Sequence, residues 1–174
     1  MKHLPLALLF LGATACATWT PVTAIAAMEP RSDSQVHGTV TFTELEAGGL
    51  AVKIDLTGVP EGVHGFHVHE KGDCTAPDGT SAGGHFNPHG MHHAGPGDVE
   101  RHAGDFGNVV ASASGVVKSE LMMSGISLTA GAVDSAIGRG LILHAKRDDL
   151  TTQPTGDAGG RIACGVITLS GGGK

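Results

Sequence analysis

Hydrophobic and polar residues alternate in two neighbouring parts of the chain. Over residues 36–42, and again over residues 50–56, every second residue is apolar or a glycine, and most of the residues between are polar. An alternation with a period of two is typical of a β-strand that buries one face. Because Glu46-Ala47-Gly48-Gly49 separates the two runs, we predict an antiparallel hairpin with a turn at these residues.

Similar short runs recur along the rest of the chain. They predict six further strands, over residues 63–70, 108–113, 115–123, 127–129, 140–145 and 161–169. Two long polar stretches, residues 71–107 and 146–160, interrupt them, and connections this long in a compact domain are usually functional. About eight short strands with turn residues between them predict an all-β fold, a sandwich or a barrel, with two long functional loops.

Composition agrees with a protein of strands and turns. Glycine occurs 28 times, and that many glycines would weaken helix interiors. The formal net charge is −6 and there are only five Phe, one Trp and no Tyr, so neither a basic patch nor stacking aromatics favour nucleic-acid binding. The 11 His are the unusual feature, and they are spread through the chain.

The N-terminus has the features of an export signal over residues 1–27. Lys2 precedes a short apolar stretch, residues 4–11, and small residues allow cleavage after Ala26. The apolar stretch is too short to span a bilayer. We then expect a flexible segment at 28–34, a domain over 35–170 and a tail at 171–174. The expected location is the periplasm or the cell surface.

The three cysteines fit export. Removal of the signal removes Cys16 and leaves an even pair, Cys74 and Cys164, in a compartment where disulfides persist. A second interpretation stays open. Ala13-Thr14-Ala15-Cys16 resembles a lipoprotein cleavage site, although Ala13 stands where a large aliphatic residue is usual, and a lipid would then be attached to Cys16.

Several histidines have the spacing of metal ligands. His67 and His69 are two apart on a predicted strand, so both imidazoles face one side of the sheet. His144 ends a late apolar strand, from which it can meet that pair across the sheet, and all-imidazole ligation suits copper. The first long loop adds a second set of ligands, three imidazoles and one carboxylate, which suits zinc. These residues are His85, His93, His102 and Asp105.

The chain resembles the copper/zinc superoxide dismutase family. The segments that carry the resemblance stand in the family order: GFHVHE (65–70), GHFNP (84–88), ERHAGDFGN (100–108), His144 with DDL (148–150), and GRIACGVI (160–167). They cover roughly residues 36–169. The placement of Cys74 in Gly72-Asp73-Cys74 is similar to that of the family's bacterial branch. The fold implied by the resemblance is an eight-stranded Greek-key β-barrel.

The resemblance also implies the roles of individual residues. The family's copper ligands fall on His67, His69, His85 and His144, and its zinc ligands on His85, His93, His102 and Asp105. His85 would then bridge one copper and one zinc per subunit and supply a proton. The family's disulfide falls on Cys74 and Cys164, and its carboxylate that orients ligands falls on Asp148. The implied activity is disproportionation of superoxide to O₂ and H₂O₂ by copper cycling between Cu(II) and Cu(I).

Charge at the rim of the site departs from the family pattern. The family's guiding arginine falls on Arg161, but Pro154 stands where some members carry a lysine. Lys71, Lys146 and Arg147 are candidates to replace that charge, with no position yet assigned.

The other histidines of the domain and a methionine pair are predicted to have no ligand role. We predict that His64 points inward, that His89 and His92 are loop surface although His92 rivals His93 as a zinc ligand, and that Met122 and Met123 pack in the core. A non-enzymatic copper-delivery module and a zinc hydrolase are the alternative functions. The choice between a monomer and a homodimer stays open.

Overall fold

The computed structural model describes residues 19–170, which form a nearly closed antiparallel β-barrel. Its strands are β1 (Thr23–Pro30), β2 (His37–Glu44), β3 (Leu50–Thr57), β4 (Gly62–His69), β5 (Asp105–Ala111), β6 (Val117–Met123), β7 (Gly140–His144), β8 (Arg161–Val166) and β9 (Thr168–Leu169). Within residues 19–170 the helical structure is a single 3-10 turn, Thr80–Ala82. The predicted all-β class is therefore confirmed.

The predicted hairpin forms and supplies one wall of the core. β2 and β3 pair without a register shift from His37–Thr57 to Glu44–Leu50. Phe42, Leu50 and Ile54 are buried, because the alternation of the sequence turns them to the same side of the sheet. No helix between residues 19 and 170 has the length and apolar character needed to cross a bilayer.

The order of strands around the barrel is β5-β4-β7-β8-β1-β2-β3-β6, with β9 paired to β1. β4 thus lies between β5 and β7, which follow it much later in the chain. This crossover, expected for a Greek-key barrel, brings the second half of β4 beside the start of β5 and along β7. The first long loop joins the end of β4 to the start of β5, and the second begins at the end of β7.

β1 was not predicted from the sequence. Its residues Ala24, Ala26 and Met28 are buried in the core, and the strand pairs with β2, β8 and β9. From the sequence, residues 1–27 are expected to be a cleaved signal and residues 28–34 a flexible segment. Met28–Pro30 lie instead in β1, and cleavage after Ala26 would remove half of that strand. The apolar stretch 4–11, Cys16 and the tail 171–174 lie outside the described residues.

Two smaller expectations also differ from the structure. Residues 127–129 form only an isolated bridge, Ser127 to Ser135, rather than a strand. Their backbone is held by a side chain, because the Leu128 N–H donates to Glu44 Oε1 over 2.8 Å. Of the methionine pair, Met123 packs in the core as predicted, but Met122 is 68% exposed, since successive residues of β6 face opposite sides.

Candidate metal centre

Two groups of buried side chains meet near the end of β4, the start of β5 and the end of β7. The ligand atoms of each group lie within 4.8 Å of one another, and every member is buried. The first group, here called the four-histidine cluster, contains His67, His69, His85 and His144. The second, here called the His₃Asp cluster, contains His85, His93, His102 and Asp105. The structure thus brings together all seven residues that the sequence analysis singled out as ligands, and His85 belongs to both clusters.

The strands account for the four-histidine cluster. His67 and His69 lie on β4, and His144 ends the neighbouring β7. His69 Nε2 is 3.4 Å from His144 Nε2, and the rings of His67 and His85 have centroids 4.1 Å apart. Four imidazoles therefore surround one point with no carboxylate among them, which is a ligand set that suits copper.

The first long loop builds the His₃Asp cluster around the start of β5. Asp105 Oδ1 is 2.8 Å from His85 Nδ1, 3.0 Å from His93 Nδ1 and 3.2 Å from His102 Nδ1. Three imidazole nitrogens and one carboxylate oxygen thus face each other. This closed N₃O set has the composition of a tetrahedral zinc site.

Three buried ring nitrogens in these clusters have no hydrogen-bond partner among the described residues. They are His67 Nδ1, His85 Nε2 and His93 Nδ1, the last of which lies 3.0 Å from Asp105 Oδ1 but outside hydrogen-bond geometry. Buried polar atoms are nearly always satisfied, and leaving one unpaired is costly. All three belong to the predicted ligands and face the other ligand atoms of their cluster. Their free lone pairs fit metal ions, and each cluster therefore passes this test as a metal site.

In two members of the four-histidine cluster, the ring nitrogen that points away from the cluster donates to a backbone carbonyl. His69 Nδ1 donates to the Gly83 carbonyl over 2.9 Å, and His144 Nδ1 donates to the Gly159 carbonyl over 3.1 Å. Such bonds keep the proton on the outer nitrogen and leave the lone pair of the inner one available to a metal.

Asp148 links the two clusters. Its carboxylate accepts a hydrogen bond from His67 Nε2 over 2.8 Å and one from His93 Nε2 over 2.9 Å. One carboxylate thus orients a ligand in each cluster, as the sequence analysis expected of the residue at this position.

Two neighbours of Asp148 were not found from the sequence. Asn108 donates to its carbonyl over 2.9 Å and accepts from its N–H over 2.8 Å. Gly156 has φ 69°, and a Cβ there would lie 1.8 Å from Asp148 Oδ1. These roles depend on contacts between distant loops, so no local pattern in the sequence could indicate them.

Burial determines the protonation state of the four-histidine cluster. Burial lowers the pKa of His67 and that of His69. It also lowers the pKa of His85 to about 4 and the pKa of His144 to about 3. Near neutral pH these rings are therefore neutral, which is the form that binds a metal.

Two carboxylates, those of Asp105 and Asp148, set the protonation of the His₃Asp cluster. Burial lowers the pKa of His93, but the nearby carboxylates of Asp105 and Asp148 outweigh it and raise the pKa to about 9. The two carboxyl groups stay ionised, because hydrogen bonds from the histidines hold the pKa of each well below its usual range in spite of burial. Without a metal, a proton on His93 balances this negative charge, and a divalent cation can replace it.

Arg161 lies beside the four-histidine cluster. Its guanidinium donates to the Gly79 carbonyl over 2.7 Å and to the Gly83 carbonyl over 2.6 Å. Gly83 is also the residue whose carbonyl accepts from His69. One peptide carbonyl therefore fixes the position of the guanidinium relative to a copper-type ligand. The structure also joins Cys74 to Cys164 by a disulfide with Cα atoms 5.7 Å apart, which ties the same loop to β8.

The rim residues are now placed. Lys146 is exposed, and its side chain runs along Gly159, where an added Cβ would lie 3.0 Å from Lys146 Cγ. Lys71 and Arg147 are also exposed. Lys146 is thus adjacent to the carbonyl that holds His144.

The remaining histidines separate as predicted. His64 is buried, with its ring nitrogens 2.8 Å from the carbonyl oxygens of His144 and Pro60. His92 is exposed, whereas His93 is buried in the His₃Asp cluster. His37 and His89 are exposed as well.

Known proteins share these features. The family model described as "Copper/zinc superoxide dismutase (SODC)" matches residues 36–167. The extracellular Cu-Zn superoxide dismutase of Drosophila melanogaster is 43% identical over 145 residues, which are 79% of this chain and 78% of the relative. The crystal structure of the clock protein EA4 superposes with a TM-score of 0.78 at 40% identity, covering 90% of this chain and 100% of that one. With its two histidine clusters in the family's arrangement, the chain belongs to the copper/zinc superoxide dismutase family, and its activity is the disproportionation of superoxide with copper and zinc as metals.

Proposed function

We propose that His67, His69, His85 and His144 hold the copper of this dismutase, that His85, His93, His102 and Asp105 hold its zinc, and that Arg161 guides the substrate. The unpartnered Nε2 of His85, a buried ring shared by both clusters, is the observation that carries this assignment. Copper supplies the one-electron oxidation and reduction of superoxide, whereas zinc supplies positive charge and no redox chemistry.

Arg161 draws the substrate toward the four-histidine cluster. Superoxide is an anion and the whole chain is acidic, with a formal net charge of −6, so attraction must come from a local positive region. The guanidinium is partly exposed and fixed by two carbonyls next to His69. The guanidinium N–H groups that do not bond these carbonyls can donate to a small anion. The exposed Lys146 adds positive charge at the rim.

His85 moves a proton in the second half of the reaction. Its Nδ1 lies among the zinc ligands, and its Nε2 faces the four-histidine cluster. When Nε2 is free it can hold a proton, because the ring stays fixed through Nδ1. The proton passes from Nε2 to the reduced substrate, and a second proton from solvent completes H₂O₂.

The assignment is tested by changing His144 to Ala. This variant loses one copper ligand and none of the zinc ligands, so it should lose superoxide consumption while it retains zinc. His37→Ala, at an exposed histidine of β2, is the matched control. Loss of zinc along with activity, or retained activity, would contradict the assignment. A fully metal-loaded wild type that does not consume superoxide would favour the copper-delivery module.

We further propose export, with processing upstream of Thr23. The fly relative is named as extracellular, the disulfide suits an oxidising compartment, and the N-terminal segment has the composition of a signal. The burial of Ala24 and Ala26 argues that the mature periplasmic or cell-surface protein keeps them. The small residues around Ala13-Thr14-Ala15 offer an earlier cleavage site, which would leave Cys16 at the new N-terminus as an acceptor for lipid.

Mass spectrometry of the mature protein tests this proposal. We expect an N-terminus between residues 13 and 22, with or without the added mass of a lipid on Cys16. A mature chain that begins at Ala27 would contradict it.

We also propose that two copies associate through the outer face of β1 and β9. Ile25 is exposed on this face and Thr168 of β9 lies opposite it, whereas Leu169 is paired with the buried Ala24 and faces the other side. Around Ile25 this face carries uncharged threonines of β2 and β9, and an uncharged surface suits a self-complementary contact of the kind most homodimers use. Sedimentation should show Ile25→Asp as a monomer, whereas Val110→Asp, at an exposed residue of β5, should leave the dimer intact. A wild type that is monomeric at high concentration would contradict the proposal.

A further inference from the structure

The first long loop carries an exposed run of metal-binding side chains outside the two buried clusters. His89, Met91 and His92 are all exposed, and they lie between Asn87 and His93, a member of the His₃Asp cluster. His89 and Met91 line the same surface groove, together with Asp98. Neither the dismutase reaction nor the packing of the core uses these side chains.

The backbone of this run is fixed at both ends. The Asn87 side chain donates to the Met91 carbonyl over 2.8 Å and accepts from the Met91 N–H over 2.9 Å. At the other end, Gln153 accepts from the His93 N–H over 2.8 Å and donates to its carbonyl over 2.7 Å. The turn therefore has a defined shape that does not depend on the side chains of His89, Met91 and His92.

These three side chains are free to bind a ligand. Among the described residues, neither the His89 ring nor the His92 ring is hydrogen-bonded, and Met91 is 41% exposed. Exposure of a methionine contributes little to stability, since its apolar surface stays in water. Thioether sulfur and imidazole nitrogen are, in combination, ligands that select copper, and thioether in particular selects Cu(I).

We propose that His89 and Met91, which line one groove, form a surface site for Cu(I) together with His92, the next residue of the same turn, and that this site captures the ion before it reaches the four-histidine cluster. The copper passes from one site to the other as Cu(I), so the transfer involves no electron. Capture at this site is independent of the function proposed above, and only the transfer rests on it.

Binding is tested on the metal-replete protein, in which both buried clusters are filled. Under anaerobic conditions, the wild type should withdraw a further equivalent of Cu(I) from its coloured bicinchoninate complex. His89→Asn/Met91→Leu should weaken this binding by about tenfold or more, as expected when a metal site loses partners. The matched control, His37→Asn/Met122→Leu, removes the same residue types at exposed positions of β2 and β6 and should bind as the wild type does.

Transfer is tested on protein that holds zinc alone. The His89→Asn/Met91→Leu variant should take up copper from the same complex about tenfold more slowly, yet reach the same final copper content and thermal stability. Failure of the wild type to bind extra Cu(I), or an equal loss in both double variants, would overturn the site. Normal loading in a variant that no longer binds the extra ion would overturn the role in capture. Neither result depends on the activity of His144→Ala.

Discussion

Asp148 is the residue that makes two metal sites into one unit. Its two carboxylate oxygens hold His67 and His93, one ligand in each cluster. Its own backbone is held by Asn108 on both sides. Because the carboxylate has no freedom to move, a displacement of either imidazole would strain the other. Copper and zinc binding should therefore depend on each other through this side chain.

Replacement of Asp148 by Asn should weaken zinc binding by about 10- to 100-fold, the usual cost of losing an outer partner of a metal ligand. An amide keeps one acceptor oxygen and presents an N–H group where the second acceptor stood, so one imidazole loses its partner. Competition with a chromophoric zinc chelator measures the change. Asp157→Asn, at an exposed position of the same loop, is the control, and equal effects in both variants would contradict the prediction.

Arg161→Gln should lower the rate constant for superoxide consumption by about tenfold at low ionic strength, because a local positive charge raises the rate at which an anion arrives. The dependence of the rate on salt should weaken in the same variant. Lys146→Gln should show the same trend to a smaller extent. Pulse radiolysis at low and high salt measures these rates. Lys118→Gln, at an exposed position near the start of β6, should behave as the wild type. A salt dependence unchanged in Arg161→Gln would exclude its guiding role.

The sequence indicated the metal ligands more readily than the residues that hold Asp148 in place. His67 and His69 are recognisable because spacing on a strand brings two rings to one side, and the motifs around them are specific. Asn108 and Gly156 are not recognisable, since each acts through a contact with Asp148 across a loop. The sequence left His92 as a rival of His93 for the zinc position, and the structure buries His93 and exposes His92.

At the scale of elements, β1 shows where sequence reasoning failed. Residues 24–28 read Ala-Ile-Ala-Ala-Met, which is apolar on both faces and has no alternation. Small residues at Ala24 and Ala26 also fit the pattern of a cleavage site. What makes this segment a strand is its pairing with β2, β8 and β9, and pairing between distant segments is not visible in a local window.

A chain that starts at Ala27 should be less stable than one that starts at Trp19 by several kcal/mol. Removal of Thr23–Ala26 leaves four positions of β2 and all of β9 without their partners, and each lost hydrogen bond costs roughly 1 kcal/mol. Urea unfolding followed by circular dichroism measures the difference. Equal stability of the two chains would contradict the structural role of β1 and reopen cleavage after Ala26.

At the scale of the whole molecule, the disulfide closes a very long loop. Cys74 and Cys164 are 90 residues apart, and a crosslink of that span stabilises by about 4–5 kcal/mol in the chain-entropy model. Cys74→Ser/Cys164→Ser should lose an amount of this order in urea unfolding. Chemical reduction of the wild type should give the same midpoint as the double variant, and a midpoint unchanged by either treatment would contradict the prediction.

Metal-free protein should lose stability as the pH falls. The pKa of His85 lies at about 4 and that of His144 at about 3 in the folded state, against about 6.5 in an unfolded chain. Between these values the unfolded chain binds more protons, so acidification favours unfolding. The contribution is complete above about pH 6.5 and is lost as the pH falls through the folded values; for His85 it amounts to roughly 3 kcal/mol.

His93 contributes with the opposite sign. Its pKa is raised to about 9, so its contribution is present below about pH 6.5 and is lost as the pH rises through the folded value. Urea unfolding of chelator-treated protein near pH 5, 7 and 9 measures both effects. The metal-loaded protein serves as the control, because bound metals keep the rings deprotonated until protons displace them. A free energy of unfolding that does not change between pH 5 and pH 9 would contradict these pKa shifts.

The fold class followed from the sequence, but the topology did not. Alternation and turns indicated short strands and two long loops, and both features are present. That β4 lies between β5 and β7 depends on which strands pair, and here the resemblance to a family supplied what the pattern could not. The strand near 127 failed because a Glu44 side chain, rather than a neighbouring strand, satisfies the Leu128 N–H.

The pairing of β1 with β8 and β9 has a consequence for biogenesis. The first strand to leave the ribosome must wait for residues 161–169, the last strands synthesised. No growing chain can therefore close its barrel during synthesis, and contacts between such distant segments form slowly. A nascent chain therefore keeps an open sheet until residues 161–169 have been made, and the metal clusters cannot be complete before His144 has been added.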